Sequence, residues 1–285
     1  MIQSNGVEFD SFFFSGGEPH VKIKEHPNLN ASQFITARIN SWNDFGELCA
    51  YLNALEGVPA IHLYLPYFPG GRQDRTDGTC PLTVDMYAAI LYAVNSAGID
   101  GDLFLYTFDI HSQEALSTIG DHAPVINLSV QSLDVSKMDA DIDTIVAPDK
   151  GAVDRALMFR SAFFPDAGVI CFEKERDFNT GRILSYKQKE NPIYSIGEKT
   201  LVVDDICDGG ATFNLLADAI GETDLQLYVS HGIFSKGVEN LSPKYSKIYT
   251  TPSFPVPDNP RIVEIPLPDP FEEDEECLMS MHYIH

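Results

Sequence analysis

The feature that most constrains this chain is a series of short apolar runs alternating with helical patterns. "AIHLYLPYF" (60–68) reads as a buried strand, and a loop rich in glycine and polar residues follows it. "LTVDMYAAILYAVNSAG" (82–98) has helix spacing and ends at a glycine, a helix stop signal. "DLFLYTFDIH" (102–111) and "DTIVAPD" (143–149) are the next strands, and "GAVDRALMFRSAF" (151–163) is the helix after them. The series continues with strands "GVICFEK" (168–174) and "TLVVDD" (200–205) and the helix "TFNLLADAI" (212–220). Strands "LQLYVSHGIF" (225–234) and "KIYTTPS" (247–253) end it. Strands that alternate with helices imply an α/β fold with a mainly parallel sheet.

The chain has 285 residues, enough for one large domain or two ordinary ones. The polar, weakly periodic stretch "LSVQSLDVSKMDADID" divides it into two halves, each with strands, a polar loop and helices. We therefore expect an N-terminal domain over 1–135 and a C-terminal domain over 136–262. A Pro-broken acidic tail over 263–285, containing "PLPDPFEEDEE", is expected to pack back on the N-terminal domain.

The formal net charge of −23 argues against nucleic acid and anionic membrane as partners. It leaves room for phosphate ligands held by backbone N–H groups, metal ions and a few local cations. Five cysteines lie far apart with no C-x-x-C spacing, which disfavours zinc and disulfides and favours a reducing compartment. "MIQSNGVEFD" lacks a basic start and an apolar stretch, and no apolar run approaches the roughly 20 residues that span a bilayer. The expectation is a cytoplasmic protein.

"TLVVDDICDGGATF" (200–213) carries the sharpest chemical signal. Three carboxylates sit beside a small-residue turn that leads into a helix. Backbone N–H groups of Asp208, Gly209, Gly210, Ala211 and Thr212 form an anion nest, with the positive end of the helix behind it and Thr212 able to cap. Asp204 and Asp205, at the strand end, can accept hydrogen bonds from sugar hydroxyls or reach a Mg²⁺ that those hydroxyls hold. This resolves the conflict of charge: phosphate on the nest, diol on the carboxylates. A βα turn with an acidic N-cap is the competing reading. G-x-x-x-x-G-K-[ST] and G-x-G-x-x-G are both absent. In "PYFPGGRQDR" (66–75), Arg72, Gln73, Asp74 and Arg75 can bind a nucleotide's phosphates and base edge. Alternatively, Arg72 and Arg75 are surface cations paired with Asp74 or Asp77.

The 200–213 stretch resembles the phosphoribosyl-diphosphate loop of the type I phosphoribosyltransferase fold. The 66–75 stretch closely resembles the ATP-binding segment of ribose-phosphate pyrophosphokinases. The agreement runs on in one order along most of the chain. "FFFSGGE" (12–18) looks like the adenine-contacting turn, with Phe14 and Glu18 in the expected places. "FDIHSQE" (108–114) matches the strand that delivers a metal-binding histidine, here His111, and "VAPDKGA" (146–152) supplies a metal-serving aspartate, here Asp149. "FEKERDFNTG" (172–181) matches the mobile catalytic loop with Lys174 and Arg176. "SHGIFS" (230–235) is similar to a histidine-bearing strand end, and "MSMHYIH" to the C-terminal ending. The short length and the "PDKGA" variant are similar to the compact archaeal branch.

The resemblance implies two phosphoribosyltransferase-like domains, each a mainly parallel sheet flanked by helices. It implies Mg²⁺-dependent transfer of the diphosphate of ATP to the 1-hydroxyl of ribose 5-phosphate, giving phosphoribosyl diphosphate and AMP, in a homo-oligomer of at least two subunits. There are departures. Gly16 stands where the family has an acid, and "TDGTC" (76–80) replaces a basic regulatory segment. Gly209 stands where many members have Thr, and Ala211 where they have Gly. The loss of the residue-209 side chain raises ADP-ribose as an alternative acceptor. A salvage phosphoribosyltransferase and a non-catalytic regulatory relative are the other readings.

Overall fold

The computed structural model describes residues 2–4, 7–25, 28, 30–98, 101–176, 183–188 and 195–271. The chain divides into two units, at Leu128/Ser129 and again at Pro268/Asp269. The division falls at the start of the polar stretch 128–142.

In the first unit the elements run β1 (Ile2–Ser4), β2 (Phe9–Phe13), β3 (Pro19–Ile23), β4 (Gln33–Ala37), α1 (Trp42–Asn53), β5 (Ala60–Tyr64), α2 (Thr83–Gly98), β6 (Asp102–Phe108), α3 (Gln113–Gly120) and β7 (Val125–Leu128). Its main sheet has the order β1-β4-β5-β6-β7, with β1 antiparallel and the rest parallel. Every residue of β5 is buried, which is why its run shows no polar alternation. Helices start where serine can satisfy an orphan amide. Ser41 Oγ accepts Asp44 N–H at 3.2 Å before α1, and Ser112 Oγ accepts Ala115 N–H at 3.0 Å before α3. The core joins Ile35, Ile61, Leu63 and Leu105 of the sheet to Phe45, Leu48, Leu52, Val84, Ala88 and Leu91 of the helices. β2 and β3 form a separate hairpin lying on α1.

The second unit continues with β8 (Thr144–Ala147), α4 (Val153–Phe163), β9 (Gly168–Arg176), β10 (Ile183–Gln188), β11 (Lys199–Cys207), α5 (Ala211–Ile220), β12 (Asp224–Gly232), β13 (Lys247–Thr251) and β14 (Ile262–Glu264). One turn of 3₁₀ helix, Lys150–Ala152, leads into α4. The seven strands are ordered β10-β9-β8-β11-β12-β13-β14, all parallel except β10 against β9. β14 carries this sheet to Glu264, beyond the expected end at 262. Val146, Val202, Leu227 and Ile248 pack with Phe213, Leu216 and Tyr245 in the core. Each unit is thus a mainly parallel sheet with helices, as the alternation of patterns implied.

Past Pro268 the chain meets the first unit. The Phe271 ring packs edge-on against Phe34 and Tyr106, with centroids 5.2 and 5.4 Å apart. Residues 272–285, including "MSMHYIH", lie outside the described residues.

In each main sheet the chain leaves one strand through strained backbone. Asp109, just after β6, has φ 42°, and Phe234, just after β12, has φ 46°. Such conformations cost about 1–3 kcal/mol each and cluster at sites of function. Both sit at C-terminal strand ends, where open α/β sheets bind ligands.

Candidate functional site

In the second unit, β11 runs through Asp204 and Asp205 to Cys207, and α5 begins at Ala211. Between them lie Asp208, Gly209 and Gly210. Gly210 is the helix N-cap in left-handed backbone, φ 75°, and no side chain caps the helix. Thr212 was expected to cap, but it lies inside α5 as the second helical residue. The left-handed turn at Gly210 starts the helix two residues before it. The consequence is a helix whose N-terminus has no side-chain cap, its backbone bonding opening with Asn214 N–H to Gly210 O at 3.0 Å. The first amides and the helix dipole make an anion site.

Asp205 is buried and Asp204 keeps an edge exposed. Asp204 Oδ1 accepts Asp205 N–H at 3.0 Å and lies 3.7 Å from an Arg155 guanidinium nitrogen. Arg155, on α4, is itself buried. Burial, then the charge of Asp205, push the Asp204 carboxyl well above the ordinary carboxylate range, and Arg155 opposes the shift only in part. Two adjacent carboxylates that repel in this way are suited to sugar hydroxyls or a hard divalent cation. Cys207 is not reactive: burial, with Asp204 and Asp208 nearby, pushes its thiol up to about 12.

Lys174 and Arg176 were expected on a mobile loop. The backbone of both belongs to β9, paired with β10, because Phe172 and Tyr186 are buried in the core and hold the two arms together. Lys174 donates to Asp149 Oδ2, while Asp149 Oδ1 accepts Gly151 N–H at 2.8 Å and so caps the 3₁₀ turn. The side chain of Arg176 and residues 177–182 lie outside the described residues.

In the first unit, residues 72–75 are joined to the start of α3. Ser112 Oγ donates to Asp74 Oδ2, and Arg75 pairs with Glu114 Oε1 at 3.0 Å. Arg75 thus meets Glu114 rather than Asp74 or Asp77. Asp77 instead accepts Thr79 N–H and hydroxyl, which holds its carboxyl below the usual range. Gln73 accepts from Thr83 Oγ1, and Arg72 is exposed. His111 is exposed one residue before the α3 cap, so it shares this sheet edge with 72–75. Asp149 lies in the other unit. Among the described residues no three or more His, Cys, Asp or Glu side chains gather as a metal site.

Phe14 sits at the hairpin tip, half exposed at 49%, where Phe14 N–H donates to Glu18 O at 2.9 Å. Glu18 and Gly16 are exposed beside it. Phe12, Phe14 and His20 cluster with centroids 4.9–5.6 Å apart. The histidine "SHGIFS" carries, His231, is buried and bonded through Nδ1 to Ser253 Oγ at 2.9 Å, a structural role.

Sequence reasoning missed Arg155, Ser112, Ser235 and Lys236. Arg155 falls in the helix expected over 151–163 and was given no role of its own. The motif "SHGIFS" stops one residue short of Lys236. Among the described residues no helix is long and apolar enough to cross a membrane.

No family model matches the chain. The ribose-phosphate pyrophosphokinase of Maricaulis maris (strain MCS10) is 29% identical over 238 residues, 79% of this chain and 72% of that one. The enzyme of that name from Pyrococcus abyssi (strain GE5 / Orsay) is 29% identical over 205 residues, 70% of this chain and 67% of that one. The crystal structure of phosphoribosylpyrophosphate synthetase from Mycobacterium smegmatis matches with TM-score 0.74 at 19% identity, over 91% of this chain and 86% of that chain, which establishes the fold. The ribose-phosphate pyrophosphokinase of Marinomonas sp. (strain MWYL1) is 30% identical over 242 residues, 80% of this chain and 72% of its own; with the Asp204, Asp205 and Asp208 loop set on β11 and α5, the chain belongs to the ribose-phosphate pyrophosphokinase family.

Proposed function

We propose that this protein transfers the diphosphate of ATP to the 1-hydroxyl of ribose 5-phosphate, giving phosphoribosyl diphosphate and AMP. The acceptor oxygen bonds to the β-phosphorus of ATP. The bond from that phosphorus to the α,β-bridging oxygen breaks, AMP leaves with the bridging oxygen, and the hydroxyl proton is lost. The single observation that carries the reading is the turn after β11. A pair of carboxylates, a third at Asp208 and an uncapped helix N-terminus occur within nine residues, which suits a ribose diol joined to a phosphate.

The roles follow from chemistry. Asp208, Gly209, Gly210, Ala211 and Thr212 take the 5′-phosphate, and Asp204 and Asp205 take the ribose hydroxyls. Arg72, Gln73, Asp74 and Arg75 take ATP, with Phe14 and Glu18 of a neighbouring subunit on adenine. This assignment makes the active form at least a dimer. The exposed aromatic tip of the hairpin, Phe12, Phe13 and Phe14, favours such a partner. Lys174 and Arg176 meet the transferring group, where fixed cations act on charge that develops in the transition state. Lys174 must first exchange Asp149 for phosphate. Mg²⁺ fits the residues present: it takes oxygen donors, often one or two carboxylates plus substrate phosphates. In the second unit Asp149 and the Asp204 and Asp205 pair offer such oxygens, and in the first unit His111 would serve a metal through its water. The ion would neutralise phosphate charge and align ATP.

The test is to incubate the protein with ATP, Mg²⁺ and ribose 5-phosphate and weigh the products. AMP and phosphoribosyl diphosphate are expected. ADP with a ribose bisphosphate, or no product from the sugar, contradicts the reading.

A further inference from the structure

Gly209 removes a hydroxyl from the phosphate loop. The space beside it is occupied by the stem of Lys236. A Cβ built at Gly209 would lie 3.3 Å from Lys236 Cδ, 3.5 Å from Cε and 3.7 Å from Cγ. The lysine stem therefore lies along the loop backbone at the one position where a side chain is missing. Gly209 has no positive φ, so left-handed backbone is not the reason for glycine here.

The turn that carries Lys236 is fastened to the loop. Ile233 N–H and Phe234 N–H both donate to Cys207 O, at 2.9 and 3.0 Å, and Ser235 Oγ donates to Asp208 Oδ1. Gly237 N–H closes the turn on Phe234 O at 2.8 Å. Phe234 accepts φ 46° because its ring is buried in the core beside Val238 and Leu241. The backbone from which the Lys236 stem departs is thus held against the loop, while the side chain itself is exposed.

Several cations of this unit are committed to carboxylates: Arg155 to Asp204, Lys174 to Asp149, Lys199 to Asp141, Lys244 to Asp218 and Lys247 to Asp139. Lys236 makes no side-chain hydrogen bond or ion pair among the described residues. In a chain of net charge −23, an ammonium with no carboxylate partner, on a stem that lies beside the phosphate loop, is available to an anion bound there.

We propose that Lys236 is a specificity-determining residue of the acceptor site, binding the 5′-phosphate of the sugar in place of a hydroxyl at position 209. This rests on the reading of the loop given above. A phosphomonoester carries about −1.5 to −2 charges at neutral pH and a diester about −1. The added cation therefore favours ribose 5-phosphate over a ribose whose 5′-phosphate bears a substituent, such as ADP-ribose.

The experiment compares the parent with Lys236→Met and Lys236→Arg, all as full chains. It measures KM and kcat for ribose 5-phosphate and for ATP, and ribose 5-phosphate binding by calorimetry. A hydrogen bond to a charged group corresponds to about tenfold or more in affinity. Lys236→Met should raise KM and Kd for ribose 5-phosphate by at least that factor, leave KM for ATP within about twofold, and weaken the salt dependence of sugar binding. Lys236→Arg should recover most of the loss. Gly209→Thr should weaken binding with Lys236 present, by displacing its stem, and improve binding in a Lys236→Ala background, where the new hydroxyl has room. Parental KM and Kd in Lys236→Met, with a parent that binds ribose 5-phosphate, would overturn the role of Lys236 and leave the loop reading intact. A parent that neither binds nor converts ribose 5-phosphate would overturn the loop reading itself, and this inference with it.

Discussion

At the scale of single residues, the chain resolves charge conflicts by pairing. Lys174 is the plainest example: it neutralises Asp149, and both are candidates for the reaction. The pairing holds the ammonium at the C-terminal edge of the sheet, ready to pass to a phosphate that carries more charge than a carboxylate. Lys174→Ala should lower kcat by about 10²–10³-fold with a smaller change in KM for either substrate, as removal of a transition-state donor does. Steady-state kinetics checks this, and near-parental turnover would remove Lys174 from the chemistry. The sequence revealed which residue types were present but not their pairing. Arg75 meets Glu114, 39 positions away, and Arg155 meets Asp204 across α4 and β11. Partners so distant in sequence are chosen by topology, which local pattern does not encode.

At the scale of elements, the strands legible in sequence were those with unbroken apolar runs. β5, β6, β8, β11 and β12 all stand within one or two residues of their runs at the N-terminal end, because parallel strands buried on both faces are mostly apolar. The short and edge elements were not legible. β1 has three residues and β10 reads "ILSYKQ", and neither shows a run that stands out from a loop. α1 and α3 begin at serine caps that the reading did not use. The loop itself was legible as a phosphate cradle, but its conformation was not: two adjacent glycines look alike in sequence and differ in backbone. Gly210 is left-handed, and a Cβ there would stand 3.2 Å from Leu241 Cδ2 and Cγ, whereas Gly209 would meet only the flexible Lys236 stem. Gly210→Ala should therefore cost about 1–2 kcal/mol of stability and raise KM for the sugar phosphate, while Gly209→Ala leaves the melting temperature nearly unchanged. Thermal melts of the two variants check this; equal effects would mean the turn is not left-handed at Gly210.

At the scale of the whole molecule, the acidic composition is organised rather than spread evenly. The stretch read as a polar boundary is held to the second sheet by Asp139, which accepts from Lys247 and from Gln226 Nε2, the latter at 2.8 Å, with Lys199 3.7 Å away. The Lys247 hydrogen bond holds the Asp139 carboxyl below its ordinary range. A carboxyl whose folded value lies below its unfolded value of about 4 contributes stability above that pH, and the contribution is lost as pH falls through the folded value. Asp139→Asn should lower the melting temperature at pH 7 and flatten its decline below about pH 4; a parallel decline in parent and variant would show that this pair does not govern acid stability. The family, the fold and the loop together make one central claim, that the β- and γ-phosphates leave ATP as a unit. The direct measurement uses ATP labelled at the β-phosphorus, with ribose 5-phosphate and Mg²⁺. The account predicts that the label passes to the sugar product and that AMP forms in equal amount. Label retained in ADP, with only the γ-phosphate moved to the sugar, would contradict it.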